Sequence, residues 1–256
     1  MEITFLGTGS SLGIPAIGAN EPVCFSTDSR DKRLRSSILI EEKGLNFLID
    51  CGPDFRTQFL KRPLLNVDAL LITHPHYDHI AGLDNFFSFC FLSQKIIPIY
   101  LLDEDVEIIK RFFFYFFTPE KTKDPYASFK RIEREKPFFL GDKKIKVEPL
   151  DVFHGKLIIL GYKIGKMAYI TDANYLPEKT IKKLKNLDVL IINALREFPS
   201  HHAHFTLNQS LEIIEQLNPK RAYITHMNHH MGFHKEVEKK LPKRVFLAYD
   251  ELKIEL

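Results

Sequence analysis

The chain has 256 residues, of which 45% are hydrophobic and 27% are charged, an ordinary profile for a globular protein with a sizeable core. Its formal net charge of +3 is too small to indicate a nucleic-acid partner by itself. The three scattered cysteines argue against a disulfide framework and predict a reducing, cytoplasmic location, and the N-terminus shows no signal peptide. The longest aromatic run is far too short to span a bilayer, so we expect no membrane partner.

Short apolar runs bounded by Gly, Pro, Asp or Lys predict strands, and apolar residues spaced on one helical face predict helices. In chain order, the sequence predicts strands at 3–6, 37–41 and 46–50, a helix at 54–60, a strand at 69–73, a helix at 79–87, a strand at 97–101, a helix at 105–114, strands at 145–150 and 167–171, a helix at 177–185, a strand at 189–193, a helix at 208–217, a strand at 221–225, a helix at 234–240 and a strand at 245–249. Two sheets packed face to face, with helices outside, accommodate this series. We therefore predict an α/β sandwich formed by a single domain over residues 1–256.

Two segments fit this scheme less directly. Region 103–142 mixes a Phe-rich run with Lys-rich sequence broken by Pro, and we expect packed core followed by a surface loop, with a lid or a dimer arm as the alternative. Basic residues crowd 110–146, where a solvated face is preferred to a polyanion site. The glycine-rich segment 6–13 is followed by Pro15, which interrupts the helix that a dinucleotide loop requires, so we expect only a tight loop near the site.

Three apolar runs end in Ile-Thr followed by a residue that can bind a metal ion: His74, Asp172 and His226. The first run continues as His-Pro-His-Tyr-Asp-His, which places four potential ligands in six residues. Another run ends directly before His154. Because strands that lie side by side bring their ends together, these distant residues are expected to converge. The sequence predicts a two-metal site with the ligands His74, His76, Asp78, His79, His154, Asp172 and His226.

The chemistry of this set narrows the metal. Imidazoles with two carboxylates and no thiolate suit Zn²⁺, Mn²⁺ or Fe. Asp172 is the best candidate for a bridging carboxylate, and Asp78 is predicted to act in catalysis as well as to bind metal. Asp50 ends another strand and is predicted to accept the free ring N–H of a ligand histidine, with a simple turn carboxylate as the alternative.

A further histidine group, His201-His202-Ala203-His204, precedes the helix at 208–217, for which Thr206 is the predicted N-cap. Histidines on such a loop are either exposed and inert or held in place by the helix that follows. We predict that His204 is catalytic and that His201 contacts substrate. The start of the helix also supplies free N–H groups and positive potential for an anion.

The order His74-x-His76-x-Asp78-His79, followed by His154, Asp172 and His226, resembles that of the metallo-β-lactamase fold superfamily. Segments 5–9, 34–37, 48–56 and 80–84, with His204-Phe205-Thr206, are similar to its PhnP-like cyclic phosphodiesterase branch, which is related to tRNase Z. The resemblance covers nearly the whole chain. It implies a four-layer αββα sandwich with a dinuclear site at one edge.

The same resemblance implies a ligand assignment. One divalent ion would be held by His74, His76 and His154, and the other by Asp78, His79 and His226. Asp172 would bridge the two ions. His204 matches the catalytic histidine of the branch. The implied cofactors are two divalent ions, Zn²⁺ or Mn²⁺.

The chain departs from the branch at one place. Relatives usually carry a cysteine cluster near 18–24 that binds a structural zinc together with a later histidine. Here Ala19 and Glu21 occupy two of those positions, only Cys24 remains, and His229 matches the later histidine but lacks enough partners. We therefore predict no third, structural zinc.

The predicted function is hydrolysis of a small phosphodiester, of the cyclic phosphoribosyl type that the resemblance implies, by a hydroxide held between the two ions. His204 would protonate the leaving oxygen or stabilise the phosphate oxygens. A homodimer is expected, and a nucleic-acid partner is not. Three alternatives stay open: another hydrolase of this fold, such as a thioesterase, lactonase or β-lactamase; a tRNase Z-like RNA-processing nuclease; and a non-catalytic metal-binding scaffold.

Overall fold

The computed structural model of the protein describes residues 1–62, 66–117, 127–142 and 144–256. Within these ranges the strands are β1 (Glu2–Gly7), β2 (Ser37–Glu42), β3 (Leu45–Ile49), β4 (Ala69–Leu71), β5 (Ile97–Leu102), β6 (Ala127–Ile132), β7 (Phe138–Leu140), β8 (Ile145–His154), β9 (Leu157–Ile164), β10 (Met167–Ile170), β11 (Val189–Asn193), β12 (Arg221–Thr225), β13 (Val245–Leu247) and β14 (Lys253–Glu255). The α-helices are α1 (Phe55–Leu60), α2 (Tyr77–Ile80), α3 (Leu83–Ser93), α4 (Asp103–Phe112), α5 (Glu178–Lys183), α6 (Leu207–Leu217) and α7 (His234–Glu238). Single 3-10 turns occur at Pro22–Phe25, Ser29–Asp31, Phe114–Phe116 and His229–Met231.

The described strands form two seven-stranded sheets. The strand order is β14-β1-β2-β3-β4-β5-β6 in the first sheet and β13-β12-β11-β10-β9-β8-β7 in the second. Strands β3 to β6 run parallel to one another, and so do strands β10 to β13. The carboxyl ends of the parallel strands therefore share one edge within each sheet.

Buried side chains alternate between two apolar layers along the central strands, as the pleat of a strand requires. Phe47 and Ile49 of β3 pack with Ile191 of β11 in the layer between the two sheets. The intervening Leu48 packs instead with residues of α1, α3 and α4, and Leu190 packs with residues of α6 and α7. The predicted four-layer αββα sandwich is confirmed by this arrangement.

Each predicted strand and helix has a counterpart, but the single helix predicted at 79–87 is wrong. Helix α2 ends at Ile80, and α3 begins only at Leu83. Gly82 lies between them, and its N–H donates a hydrogen bond of 2.8 Å to the carbonyl of Cys51. A Cβ atom at Gly82 would lie 2.2 Å from the carbonyl oxygen of Gly52, so only glycine allows this contact. Packing against the loop after β3 therefore interrupts the helix.

The sequence did not predict strands β6, β7, β9 and β14. Region 103–142 consists of α4, a 3-10 turn and strands β6 and β7, while residues 118–126 of that region lie outside the described residues. Strand β9 pairs with β8 along its whole length, with Leu157 opposite His154. This hairpin extends the second sheet to the site described below.

In the described part of the chain, no helix combines the length and apolarity needed to cross a membrane.

Candidate metal centre

The predicted ligands lie at the edge where the strands of both sheets end. His74 follows β4 in the first sheet, and His154 is the last residue of β8 in the second. Asp172 follows β10, and His226 follows β12 directly. All seven predicted ligands fall into two neighbouring groups, and within each group the donor atoms lie within 4.8 Å of one another. Their roles as ligands stay predictions that this geometry supports.

The first group consists of three imidazoles. The Nε2 atom of His74 lies 3.0 Å from the Nδ1 atom of His76. The Nδ1 atom of His154 donates a hydrogen bond of 2.9 Å to the carbonyl of Ala203, which leaves its Nε2 atom as the free donor to a metal. Two ligand atoms of a tetrahedral zinc site are about 3.3 Å apart, given bonds of 2.0–2.1 Å. The spacing of His74 and His76 therefore fits one shared cation.

The second group combines two histidines with two carboxylates. The Nε2 atom of His79 lies 3.3 Å from Oδ2 of Asp78 and 3.2 Å from Oδ2 of Asp172. The Nε2 atom of His226 lies 3.1 Å from Oδ1 of Asp172. Asp172 also belongs to a group with His154 and His204, so its carboxylate borders both candidate ion sites. That position is the one a bridging ligand needs.

The electrostatics of the second group favour a cation. Burial alone would lower the pKa of His79, but the carboxylates of Asp78, Asp172 and Asp50 outweigh it and raise this pKa well above its ordinary value. In contrast, burial, together with the neighbouring His79, holds the pKa of His74 well below its ordinary value. His74 is therefore a neutral donor at pH 7, while three carboxylates around His79 attract positive charge.

Several nitrogen atoms of the site make no well-aligned hydrogen bond to the described residues, although carboxylate oxygens lie near two of them. The Nε2 atom of His79 and both ring nitrogens of His226 are buried and make no hydrogen bond among the described residues. Buried polar atoms of this kind normally find a partner, because leaving one unpaired costs about 1–3 kcal/mol. The donor set and these unpaired atoms fit two divalent ions.

Three site residues follow their strands in an unusual backbone conformation. Asp50, Asp172 and His226 have φ angles of 66°, 56° and 58°, in the left-handed region. That conformation costs roughly 1–2 kcal/mol for a residue other than glycine. Backbone strain of this kind is often retained at functional sites.

Asp50 forms a hydrogen bond with a histidine of the second group. Its Oδ2 atom accepts a hydrogen bond of 2.7 Å from Nδ1 of His79, and its Oδ1 atom accepts one of 2.8 Å from the backbone N–H of Thr73. Fixing the Nδ1 proton leaves Nε2 of His79 as the donor to a metal. Asp50 thus contacts a predicted ligand histidine, and its role beside a metal ion stays a prediction.

The loop after β3 presses against the ligand segment. The N–H of Cys51 donates a hydrogen bond of 2.8 Å to the carbonyl of His79. A Cβ atom at Gly52 would lie 2.1 Å from the carbonyl oxygen of Asp78, so a side chain at Gly52 would displace that segment. Cys51 itself is fully buried in the outer apolar layer and serves as a core residue.

His204 is held between Asp172 and His201. Its Nε2 atom lies 3.0 Å from Oδ1 of Asp172, and its Nδ1 atom lies 3.0 Å from Nδ1 of His201. Thr206 caps α6 with a capping box, which fixes the end of the loop as predicted. Burial lowers the pKa of His204 to about 4, so the ring is neutral at pH 7 in the absence of further charge.

Sequence reasoning missed Asn193 at the end of β11. Its side chain accepts a hydrogen bond of 2.7 Å from the N–H of Ala173 and donates one of 3.0 Å to the carbonyl of Ala173. It therefore fixes the backbone directly after Asp172. The available signal was a polar residue closing a fully apolar run, the same signal that identified His74 and His226.

A third group lies apart from these two. The Nε2 atom of His229 and the Nδ1 atom of His230 each lie 3.6 Å from a carboxylate oxygen of Glu21. His229 was expected to lack enough partners for a zinc ion, and Glu21 and His230 lie beside it. The expected count of two ions, without a third zinc, stays a prediction.

Comparison with known proteins identifies the family. A model described as a beta-lactamase superfamily domain matches residues 45–227, a span that includes all seven predicted ligands. The chain belongs to this superfamily. It has the metallo-β-lactamase fold and belongs to a family of hydrolases, with a PhnP-family diphosphatase and ribonuclease Z among its relatives.

Three proteins illustrate what this chain is similar to. The crystal structure of a diphosphatase from the PhnP family is 36% identical and superposes with a TM-score of 0.91, covering 99% of this chain and 96% of that chain. An octanoyltransferase from Porphyromonas gingivalis is 36% identical over 98% of this chain and 51% of its own length, so the chain spans about half of that relative. A ribonuclease Z from Borreliella burgdorferi is 24% identical over 96% of this chain and 97% of its own.

Proposed function

We propose that the protein is a metal-dependent phosphodiesterase that hydrolyses a small phosphodiester. The observation that carries this proposal is the contact of 3.0 Å between His204 and Asp172, the carboxylate that both candidate ion sites border. This contact supports a role for His204 as a proton carrier, since His204 belongs to neither of the two groups of predicted ligands. The similarity to a PhnP-family diphosphatase over nearly the whole chain supports chemistry at phosphorus.

The predicted ligands and His204 would have separate roles, the former in metal binding and the latter in proton transfer. His74, His76 and His154 would hold one divalent ion, and Asp78, His79 and His226 the other, with Asp172 shared. Divalent ions there would supply charge neutralisation for a phosphate and a water-derived nucleophile at neutral pH. Buried carboxylates and imidazoles keep this edge preorganised, because their hydrogen bonds to the scaffold fix their orientation.

His204 would donate a proton to the leaving oxygen. The N–H of Ala203 lies 3.3 Å from Nδ1 of His201, so that nitrogen accepts and cannot donate to His204. Both ring nitrogens of His204 thus face acceptors, an arrangement suited to the imidazolium. Since burial lowers the pKa of the free ring to about 4, an anionic phosphodiester bound beside it would be needed to favour the protonated form.

Two variants test the division of roles. Asp172→Ala is expected to lose both the metal and the hydrolysis of bis-p-nitrophenyl phosphate. His204→Ala is expected to lose roughly 10²–10⁴ in rate while it retains the metal, as for a positioned acid. His202→Ala, which removes an exposed neighbouring histidine, is the matched control and should change neither. Equal metal loss in the Asp172 and His204 variants would make His204 a ligand and remove its assigned role.

A second candidate function is hydrolysis of an acyl ester or thioester. It is favoured by the 36% identity to a protein named octanoyltransferase, although that protein is about twice as long as the matched region. Assaying bis-p-nitrophenyl phosphate and octanoyl thioester side by side separates the two candidates. Turnover of the thioester alone would replace the phosphodiesterase proposal.

We also propose a homodimer, as the resemblance to the PhnP-like branch implies. Light scattering is expected to give twice the chain mass of 29.8 kDa.

A further inference from the structure

A groove of about 510 Å³ opens directly beside His74 and His76. It lies between helix α4, the start of β9 and the segment after β4. Apart from the site residues, its walls are chiefly apolar, and the main contributors are Leu102, Ile108, Phe112, Leu157, Ile158 and Ile159. Two predicted ligands form part of the wall. A substrate whose ester group is held at the ions would therefore extend its remaining portion directly into the groove.

The charges along the groove restrict what it can hold. Glu104 and Asp105 contribute carboxyl groups, and no lysine or arginine lines it among the residues that the structure describes. Glu104 is paired with Arg134, and a phosphate or carboxylate on the distant part of a substrate would find no lysine or arginine among the described residues that line the groove. The groove suits an uncharged group.

Asp105 adds one specific polar feature to this wall. The residue is 5% exposed, and its Oδ2 atom is buried without a hydrogen-bond partner among the described residues. Burial also raises the pKa of this carboxyl to about 7, with a further contribution from Glu104. Because this oxygen is buried, the part of Asp105 that lacks a partner among the described residues is not offered to a ligand in the groove.

We propose that this groove binds the uncharged, mainly aliphatic portion of the ester substrate. The inference rests on the proposed function, since it names the substrate class for the same site. Ile108 and Leu157, which are 37% and 52% exposed, would be covered by the ligand.

The test is a series of alkyl 4-nitrophenyl phosphates, from methyl to octyl, hydrolysed by the metal-loaded enzyme. Each methylene buried in the groove is expected to raise kcat/KM by about 2- to 4-fold, until the groove is filled. Ile108→Asn and Leu157→Asn should each reduce the octyl-to-methyl ratio of kcat/KM at least 5-fold, an estimate of the order of two lost methylene contacts. Leu92→Asn, at a leucine that is 79% exposed on α3 and does not line the groove, is the matched control and should leave the ratio unchanged.

A ratio near one across the series would overturn the inference, and so would a chain-length preference that survives both groove variants. Failure of the proposed function is distinguished by a binding measurement. If no diester is turned over, titration calorimetry with octylphosphonate and methylphosphonate reports on the groove alone. Tighter binding of the octyl compound that is lost in Ile108→Asn would support the groove, and equal binding of the two compounds would refute it.

Discussion

Asp105 gives a quantitative prediction, because its carboxyl group is buried without a hydrogen-bond partner for Oδ2 among the described residues. Burial raises its pKa from 3.8 to about 7. The folded protein therefore holds this proton more tightly than the unfolded chain does. Stability contributed by the neutral carboxyl is complete below about pH 4 and is lost as the pH rises towards 7.

The magnitude follows from the same interval. At 1.36 kcal/mol per pH unit, the interval between 3.8 and about 7 corresponds to at most about 4 kcal/mol of unfolding free energy. Asp105 lies in the first turn of α4, where the helix dipole favours a carboxylate by about 0.3–1 kcal/mol, so the net loss is smaller. Asp105→Asn keeps the shape of the side chain and removes the titration.

The assay is urea unfolding of the wild type and Asp105→Asn at several pH values between 5 and 8, with a chelator present in both. We expect the wild type to lose about 2–3 kcal/mol relative to the variant between pH 5 and pH 7. Asp103→Asn changes an exposed carboxylate in the same helical turn and should stay within about 0.5 kcal/mol of the wild type throughout. A pH-independent difference between the wild type and Asp105→Asn, or a wild type that gains stability as the pH rises, would refute the reasoning.

Three further predictions concern the metal centre. Asp50→Asn removes the carboxylate that fixes Nδ1 of His79, and we expect metal affinity to fall roughly 10- to 100-fold, as measured by competition with a chelating dye. Gly52→Ala places a methyl group 2.1 Å from the carbonyl of Asp78, and we expect a loss of at least about 1–3 kcal/mol in urea unfolding together with weaker metal binding; an unchanged midpoint and affinity would contradict the close packing. Elemental analysis is expected to give about two divalent ions per chain, and a third tightly bound zinc that is lost in His229→Ala would assign one to the group around Glu21.

Much of the fold could be predicted from the local pattern of the sequence. Runs such as Phe47–Ile49 are apolar at successive positions, which is typical of strands covered on both faces, and the structure places their side chains alternately in two apolar layers. The predicted boundaries of strands and helices are correct where Gly, Pro or a cap residue such as Thr206 marks the boundary. Strand β9 was missed because Gly161 interrupts its pattern, and its pairing with β8 is a long-range property.

The helix predicted at 79–87 failed for a related reason. Its periodicity is continuous through Gly82, but the contact with the loop at Cys51 and Gly52 lies about thirty residues away in the chain and cannot be read from local spacing. Local spacing also could not predict the roles of Asn193 and of the backbone at Asp50, Asp172 and His226. Each depends on which strand ends become neighbours.

The sequence by itself determined which side chains were available and that they stand at strand ends, because residue type and apolar patterning are local properties. Only the tertiary structure decided that these ends face one another, that Asp172 lies between two groups of donors, and that a mainly apolar groove opens beside His74. Those features arise from the pairing of strands within each sheet and from the packing of two sheets, which depend on contacts between residues far apart in the chain.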